Sequence, residues 1–310
     1  MNNDRTLSGR VALVTGGARG IGLAIVEELH RRGARVLIAD SGVSISGEQP
    51  DATVAQSIAA KLGADAKPFC EDLTQPGTPE RAVQAALASY GAIDIVINNA
   101  AIIRDAFIFK ASRENWDQVL ATNLSVPFRL LAAATPHMRE QQKSGRAPGR
   151  IVNIVSSAGL FGNFGQSAYA SAKAGLVGLT RVVAMDMSRS NVTCNAIAPF
   201  AATRVTESIQ PANEAQTRYK QRALDIPAHY VARLAVFLSS NANEATGQLF
   251  GVRGRELMLF SQPRPIARSL MPAGIAWEEA ALAQAIKTEF APRMTDLATD
   301  LEFFNTEPIL

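Results

Sequence analysis

Short aliphatic runs alternate with longer stretches of helical period along the first 255 residues. Residues 10–15, 35–40, 66–70, 93–98, 149–155, 192–197 and 247–252 are rich in Val, Ile, Leu and Ala, and each is bounded by polar or glycine-containing text. Such runs read as strands buried on both faces, which is how parallel sheets are built. Between them, residues 20–32, 52–62, 79–90, 116–140 and 167–189 carry apolar positions three and four apart and predict helices. The alternation predicts an α/β fold, a single Rossmann-like, doubly wound sheet of seven parallel strands over residues 1–255. Residues 41–51 form a polar, Gly- and Pro-containing loop longer than a strand-to-helix turn needs. Past residue 255 the alternation stops. Residues 256–310 hold three early prolines, an amphipathic helix near 277–288 and an acidic end. They are predicted to be a C-terminal extension packed on the domain or on a neighbouring subunit.

Composition narrows the function classes. Apolar residues make up 47% and charged residues 19%, the balance of a globular protein rather than a disordered one. With a net charge of +3 and no run of five like charges, neither nucleic acid nor an anionic membrane is an expected partner. Cys70 and Cys194 sit in strand-like text and are expected as buried free thiols; the three histidines are scattered, so no metal site is expected. No stretch approaches 18 consecutive apolar residues, and no apolar run follows the N-terminus. The expectation is a cytoplasmic protein without signal peptide or membrane span.

Ser156, Tyr169 and Lys173 carry the sharpest chemical signal. Tyr169 and Lys173 stand four apart on a predicted helix and therefore share one face. A free phenol titrates near pH 10, but a neighbouring ammonium favours the phenolate, and a nicotinamide cation would add to that effect. Ser156 could hold the oxygen of an alcohol or carbonyl while Tyr169 moves its proton.

A second signal lies at the first strand-to-helix turn, Thr15-Gly16-Gly-Ala-Arg19-Gly20-Ile21-Gly22. Glycines let the chain turn tightly and let a pyrophosphate approach the helix N-terminus, where unpaired N–H groups favour anions. Asp40, twenty residues after Gly20 and ending the second strand, suits the two ribose hydroxyls of NAD and repels a 2′-phosphate. Arg19 is the counter-signal, since a guanidinium there could reach that phosphate. NAD is expected over NADP. Asp72, past the third strand, could accept from the adenine amino group or simply cap a turn.

These pieces together resemble the short-chain dehydrogenase/reductase family over residues 7–255. The matching text is TGGARGIG at 15–22, Asp72-Leu73, Asn98-Asn99-Ala100-Ala101, Asn123, Ser156, Tyr169-x-x-x-Lys173 and Asn195-Ala-Ile-Ala-Pro199. The resemblance implies a catalytic tetrad of Asn123, Ser156, Tyr169 and Lys173, with Asn123 holding a water that relays protons to Lys173. It implies that Leu73, Asn99, Ala100 and Ala101 lie along the cofactor, that Pro199 and Thr203 lie beside the nicotinamide, and that Lys173 binds the nicotinamide ribose. It also implies a homodimer or homotetramer, helices 116–140 and 167–189 pairing across a two-fold axis. The family usually has Gly in place of Ala101 and of Phe200. Phe200 is the larger change, expected to crowd the carboxamide or to wall the substrate pocket. The loop after Asp40, the text around residues 98–105 and 116–117, and residues 198–204 are similar to a narrower group. That group is the hydroxyacyl-CoA dehydrogenase module of peroxisomal multifunctional enzyme type 2 and its bacterial relatives, of the 17β-hydroxysteroid dehydrogenase type 4 kind.

The expected reaction is reversible hydride transfer between a nicotinamide and an apolar secondary alcohol or ketone, first of all a 3-hydroxyacyl-CoA. The alternatives are a hydroxysteroid or other apolar secondary-alcohol dehydrogenase, an NADP-dependent 3-ketoacyl reductase and, last, a non-catalytic NAD-sensing protein. Ile103, Phe161, Phe164 and Phe200 are expected to touch the substrate and residues 203–230 to cover it; Arg104, Arg204 and Arg218 could meet CoA phosphates, although surface arginines are usually just solvated.

Overall fold

The computed structural model describes residues 5–208, 211, 213–263, 266–267 and 279–310. Its centre is one sheet in the order β3-β2-β1-β4-β5-β6-β7-β8. The strands are β1 (Val11–Thr15), β2 (Arg35–Ala39), β3 (Ala66–Phe69), β4 (Ile95–Asn98), β5 (Arg150–Ile154), β6 (Thr193–Phe200), β7 (Leu249–Arg253) and β8 (Glu256–Leu259). The first seven pair in parallel, as the aliphatic runs predict. Helices α1 (Gly20–Arg31), α2 (Thr53–Leu62) and α3 (Thr78–Tyr90) follow the first three strands. They are succeeded by α4 (Arg113–Leu120), α5 (Val126–Lys143), α6 (Ala158–Phe161), α7 (Ser167–Asp186), α8 (Arg204–Ser208), α9 (Glu214–Leu224) and α10 (His229–Leu238).

The two large core clusters lie on opposite faces of the sheet. Val14, Ile38 and Ile97 pack towards α1 and α10, whereas Leu13, Leu37 and Val96 pack towards α3 and α5. Alternate residues of each strand thus serve alternate faces. The winding reverses between β1 and β4, and a crevice opens beyond the strand ends there.

Two features depart from the sequence expectation. The sheet has an eighth strand, β8, antiparallel to β7 and reached through a tight turn at Gly254 (φ 57°), a left-handed conformation that glycine adopts without a Cβ penalty. Its alternating half-buried and exposed residues suit an edge strand rather than a buried one. The predicted helix over 116–140 starts earlier, at Arg113, capped by the Ser112 side chain accepting from the Asn115 N–H, and it is interrupted by a π-turn at Ala121–Ser125.

Residues Met1–Phe260 and Thr299–Leu310 form one compact unit, so the last twelve residues return to the main body. There α12 (Asp300–Phe303) opens on a capping box of Thr299 with Glu302. Residues Ser261–Ala298 form a second small unit, whose described part contains α11 (Glu279–Ala285) continuing into a π-turn at Ile286–Phe290. Of the helix predicted near 277–288, residues 277 and 278 lie outside the described residues.

Candidate active site

A cleft of about 1200 Å³ runs along the C-terminal ends of the strands. At its floor, the β1–α1 turn is shaped by contacts only glycine permits. Gly16 has φ 60°, and a Cβ there would meet the Ala100 backbone at 2.9 Å; a Cβ on Gly22 would collide with the Gly16 carbonyl. Gly20 also has positive φ (53°). Asn99 clamps this turn, its side-chain amide donating to the carbonyls of Thr15 (3.0 Å) and Gly16 (2.9 Å), while the Thr15 hydroxyl accepts from the N–H groups of Asn99 and Ala100. The backbone cradle at the start of α1, lined by Gly16, Gly20, Ile21 and Gly22, fits the pyrophosphate of a dinucleotide.

Asp40 stands at the end of β2, with Oδ2 accepting from the Ala18 N–H at 3.0 Å and Oδ1 from the Gly42 N–H at 2.8 Å. The carboxylate is thereby fixed in orientation, with lone pairs left for further donors. Arg19 is already engaged, donating to the carbonyls of Gly42 (3.2 Å) and Val43 (3.1 Å). Arg204 also donates to Val43 and Arg104 to the carbonyl of Ser46, so three arginines tie down the long loop over residues 41–51. Of the arginines considered for phosphates, Arg104 and Arg204 line the cleft, whereas Arg218 pairs with Glu214 at 3.5 Å on the surface and does not. Asp72 forms a local turn, accepting from the N–H and hydroxyl of Thr74 and from Gln75, while still lining the cleft beside Leu73.

Ser156, Tyr169 and Lys173 come together at the middle of the cleft. Ser156 follows β5 by two residues, and Tyr169 and Lys173 sit in the first two turns of α7. Gly159 lets the serine loop lie directly on α7: a Cβ there would approach the Ala174 N at 2.8 Å. Lys173 is buried, its Nζ donating to the carbonyl of Ile154 at 2.8 Å and lying 5.7 Å from the centre of the Tyr169 ring. Burial lowers the lysine to about 8. Burial also pushes the Tyr169 phenol up to about 12, helped by the charges of Asp105 and Asp300 and opposed by the Ser156 hydroxyl. The lowering of the phenol that an adjacent ammonium was expected to cause is therefore outweighed in the protein itself: desolvation disfavours the anion, and the ammonium is aimed at Ile154.

Asn123 is fully buried on the π-turn. Its side chain pairs both ways with Ile102, Nδ2 donating to the Ile102 carbonyl and Oδ1 accepting from the Ile102 N–H, each at 2.9 Å. Asn123 thus fixes the segment after β4 rather than lining the cleft. π-turns inside α-helices are rare and frequently mark functional sites.

Ala100, Ala101, Pro199 and Thr203 all line the cleft, as do Ile103, Phe164 and Phe200. Phe161 does not. It packs instead in an aromatic cluster with Phe260, Phe303 and Phe304 at ring separations of 6.4, 5.5 and 5.9 Å, because α6 carries it beneath the returning C-terminal segment. Residues 203–230 contain α8, α9 and the start of α10, with residues 209, 210 and 212 outside the described residues. Cys194 is a buried free thiol, whereas Cys70 is only half-buried.

Part of the wall was not foreseen. Asp300, Leu301 and Phe304 line the cleft from the C-terminal segment, and Tyr219, Arg222 and Arg253 line it next to them. The sequence held one signal for this: Thr299-Asp-Leu-Glu302 before a Phe pair is a helix-start pattern attached to apolar side chains, the mark of a docked segment rather than a solvated tail.

The short chain dehydrogenase family profile matches residues 10–216. The chain is 35% identical over 305 residues to the hydroxyacyl-CoA dehydrogenase ChsB1 of Mycobacterium tuberculosis, covering 96% of this chain and 95% of that one. It is 34% identical to the mouse peroxisomal multifunctional enzyme type 2 over 79% of this chain and only 31% of the longer enzyme. A 3-oxoacyl-(acyl-carrier-protein) reductase FabG of Vibrio cholerae is 36% identical over 82% of this chain and 99% of its own length. Among solved structures, a short chain dehydrogenase from Mycobacterium avium superposes with a TM-score of 0.77 at 33% identity, covering 91% of this chain and 94% of that one. No helix among the described residues is long and apolar enough to cross a membrane. The chain belongs to the short-chain dehydrogenase family.

Proposed function

We propose that this oxidoreductase is NAD-dependent and interconverts an apolar secondary alcohol and its ketone, with a 3-hydroxyacyl-CoA as the substrate class. The observation that carries the reading is the convergence of Ser156, Tyr169 and Lys173 on one open cleft whose far end holds the glycine cradle and Asp40. When bound, NAD supplies the hydride acceptor. Ser156 orients the substrate oxygen, and Tyr169 takes the hydroxyl proton in oxidation and returns it in reduction. Lys173, whose ammonium is only weakly favoured in its buried site, holds the ribose and, in its neutral form, takes the tyrosine's proton and releases it to solvent. Asn123 keeps the Ile102 backbone in place beside them. Positioning contributes most of the acceleration and the acid–base step about 10²–10⁴-fold.

Asp40 supports NAD over NADP, since its carboxylate already faces the cleft and Arg19 is spent on the loop carbonyls. Ile103, Phe164 and Phe200 offer apolar surface that suits an acyl chain or a steroid. Similarity to the hydroxyacyl-CoA dehydrogenase over nearly the whole of both chains supports the thioester. Similarity to the 3-oxoacyl reductase supports the second reading, an enzyme working in the reducing direction on ketoacyl groups. Exposed Phe128, Val182 and Met185 on α5 and α7 support assembly into a homodimer or homotetramer through these helices, and the protein is read as cytoplasmic.

Turnover followed at 340 nm with 3-hydroxyacyl-CoAs and with hydroxysteroids, each with NAD and with NADP, and in the reverse direction with 3-ketoacyl-CoAs and NADH or NADPH, tests the proposal. Efficient NADH formation from the thioesters agrees with it. Turnover only of ketoacyl substrates with NADPH supports the reductase instead.

A further inference from the structure

The C-terminal segment Thr299–Leu310 is seated on the two loops that flank the reacting centre. Asp300, 7% exposed, accepts a hydrogen bond from the Ser157 hydroxyl at 2.5 Å, and Ser157 is the immediate neighbour of Ser156. Four residues on, the Phe304 ring lies 4.4 Å from that of Phe200, the immediate neighbour of Pro199. The rest of the segment is fastened to the sheet edge and to α9. Arg253 donates to the carbonyls of Phe304 and Thr306, Arg222 pairs with Glu307 at 2.6 Å and donates to Asn305, and the Arg255 N–H donates to the Ile309 carbonyl at 2.7 Å. A close approach at Gly254, where a Cβ would collide with the Ile309 carbonyl, completes the seat. Leu301 and Phe304 are only half-buried, and both line the cleft.

We propose that this segment is the end wall of the substrate pocket, with Phe304, packed against Phe200, setting the length of apolar chain the enzyme accepts. The inference rests on the reading of the cleft as the binding site of an apolar secondary alcohol or ketone, and it deepens that reading. Phe200 has a purpose in this arrangement: its ring is the surface on which the end wall docks. A smaller residue at either position leaves room beyond the wall, and each methylene seated in an apolar pocket is worth on the order of tenfold in discrimination. Ser157 anchors the other end of the wall through Asp300, so it acts as a positioning residue for Phe304.

The test compares the full-length protein with Phe304→Ala, Phe304→Trp and Ser157→Ala. Each is assayed against straight-chain 3-hydroxyacyl-CoAs from four to sixteen carbons, with kcat/KM read as a profile against length. The maximum is expected to move to longer chains in Phe304→Ala and Ser157→Ala, with the long-to-short ratio rising at least tenfold, and to move to shorter chains in Phe304→Trp. A fold defect lowers all lengths together and cannot produce opposite shifts in two variants at one position. An unchanged profile in all three variants would overturn the proposal. If the wild type turns over no thioester, the substrate reading fails by itself. The same profile is then read from the binding of 2-alkanones of four to sixteen carbons to the NADH-saturated protein, where opposite shifts in Phe304→Ala and Phe304→Trp uphold the wall and identical profiles overturn it.

Discussion

The Lys173 ammonium donates to the main-chain carbonyl of Ile154, the last residue of β5, two residues before Ser156 on the same strand end. One hydrogen bond of 2.8 Å thus couples the helix that carries Tyr169 to the loop that carries Ser156. It also places a titratable amine in a fully buried position, with measurable consequences.

Stability should depend on pH through Lys173. Its folded value of about 8 lies below the ordinary 10.5 of a lysine, so between those values the unfolded chain binds the extra proton. Stability from this residue is present above pH 10.5 and is lost as the pH falls through 8. The full difference is about 3 kcal/mol. Denaturant melts of the wild type and Lys173→Met from pH 7.5 to 10 should show the wild type gaining on the variant as pH rises; parallel curves would show that the lysine is not desolvated.

Coenzyme choice should follow Asp40. Removing a carboxylate that receives hydrogen bonds costs about 1.5–3 kcal/mol per bond lost, so Asp40→Ala should reduce the NAD-to-NADP ratio of kcat/KM at least tenfold. Because the same carboxylate holds the Ala18 and Gly42 amides, the variant should also melt at lower temperature. Retention of the wild-type ratio would move selectivity elsewhere, with Arg19 and Arg204 the next residues to change.

The glycine turn offers a steric test. A methyl at Gly22 must displace the Gly16 carbonyl, a backbone atom that Asn99 clamps, so Gly22→Ala should destabilise by about 1–3 kcal/mol and weaken NAD binding more than tenfold. Calorimetric titration with NAD, beside a thermal melt, checks both. Normal affinity in a folded variant would contradict the close helix-to-turn approach.

Much of this arrangement was legible in the sequence, for local reasons. The turn glycines, Asp40 after β2, and the Tyr169–Lys173 spacing are short-range patterns tied to strand ends and helix period. The wall formed by Asp300 and Phe304 was not, because Ser157 and Asp300 are 143 residues apart and no periodicity encodes such a meeting. Phe161 shows the same limit: its position after Ser156 suggests the pocket, yet the returning segment claims its face. The π-turn at Ala121–Ser125 leaves no trace in the apolar pattern, which continues as an ordinary helix on both sides. The edge strand β8 was missed because only half of its side chains are covered, so Glu256-Leu-Met-Leu259 lacks the aliphatic run of the inner strands.

The most direct test of the central claim is the turnover of Tyr169→Phe under conditions where NAD saturates the wild type. Loss of the phenolic oxygen should lower kcat by at least about a hundredfold with NAD affinity within a few-fold of wild type, because the ring stays in place and only the proton carrier is gone. A variant that turns over at the wild-type rate would contradict Tyr169 as the acid–base group and, with it, the proposed mechanism.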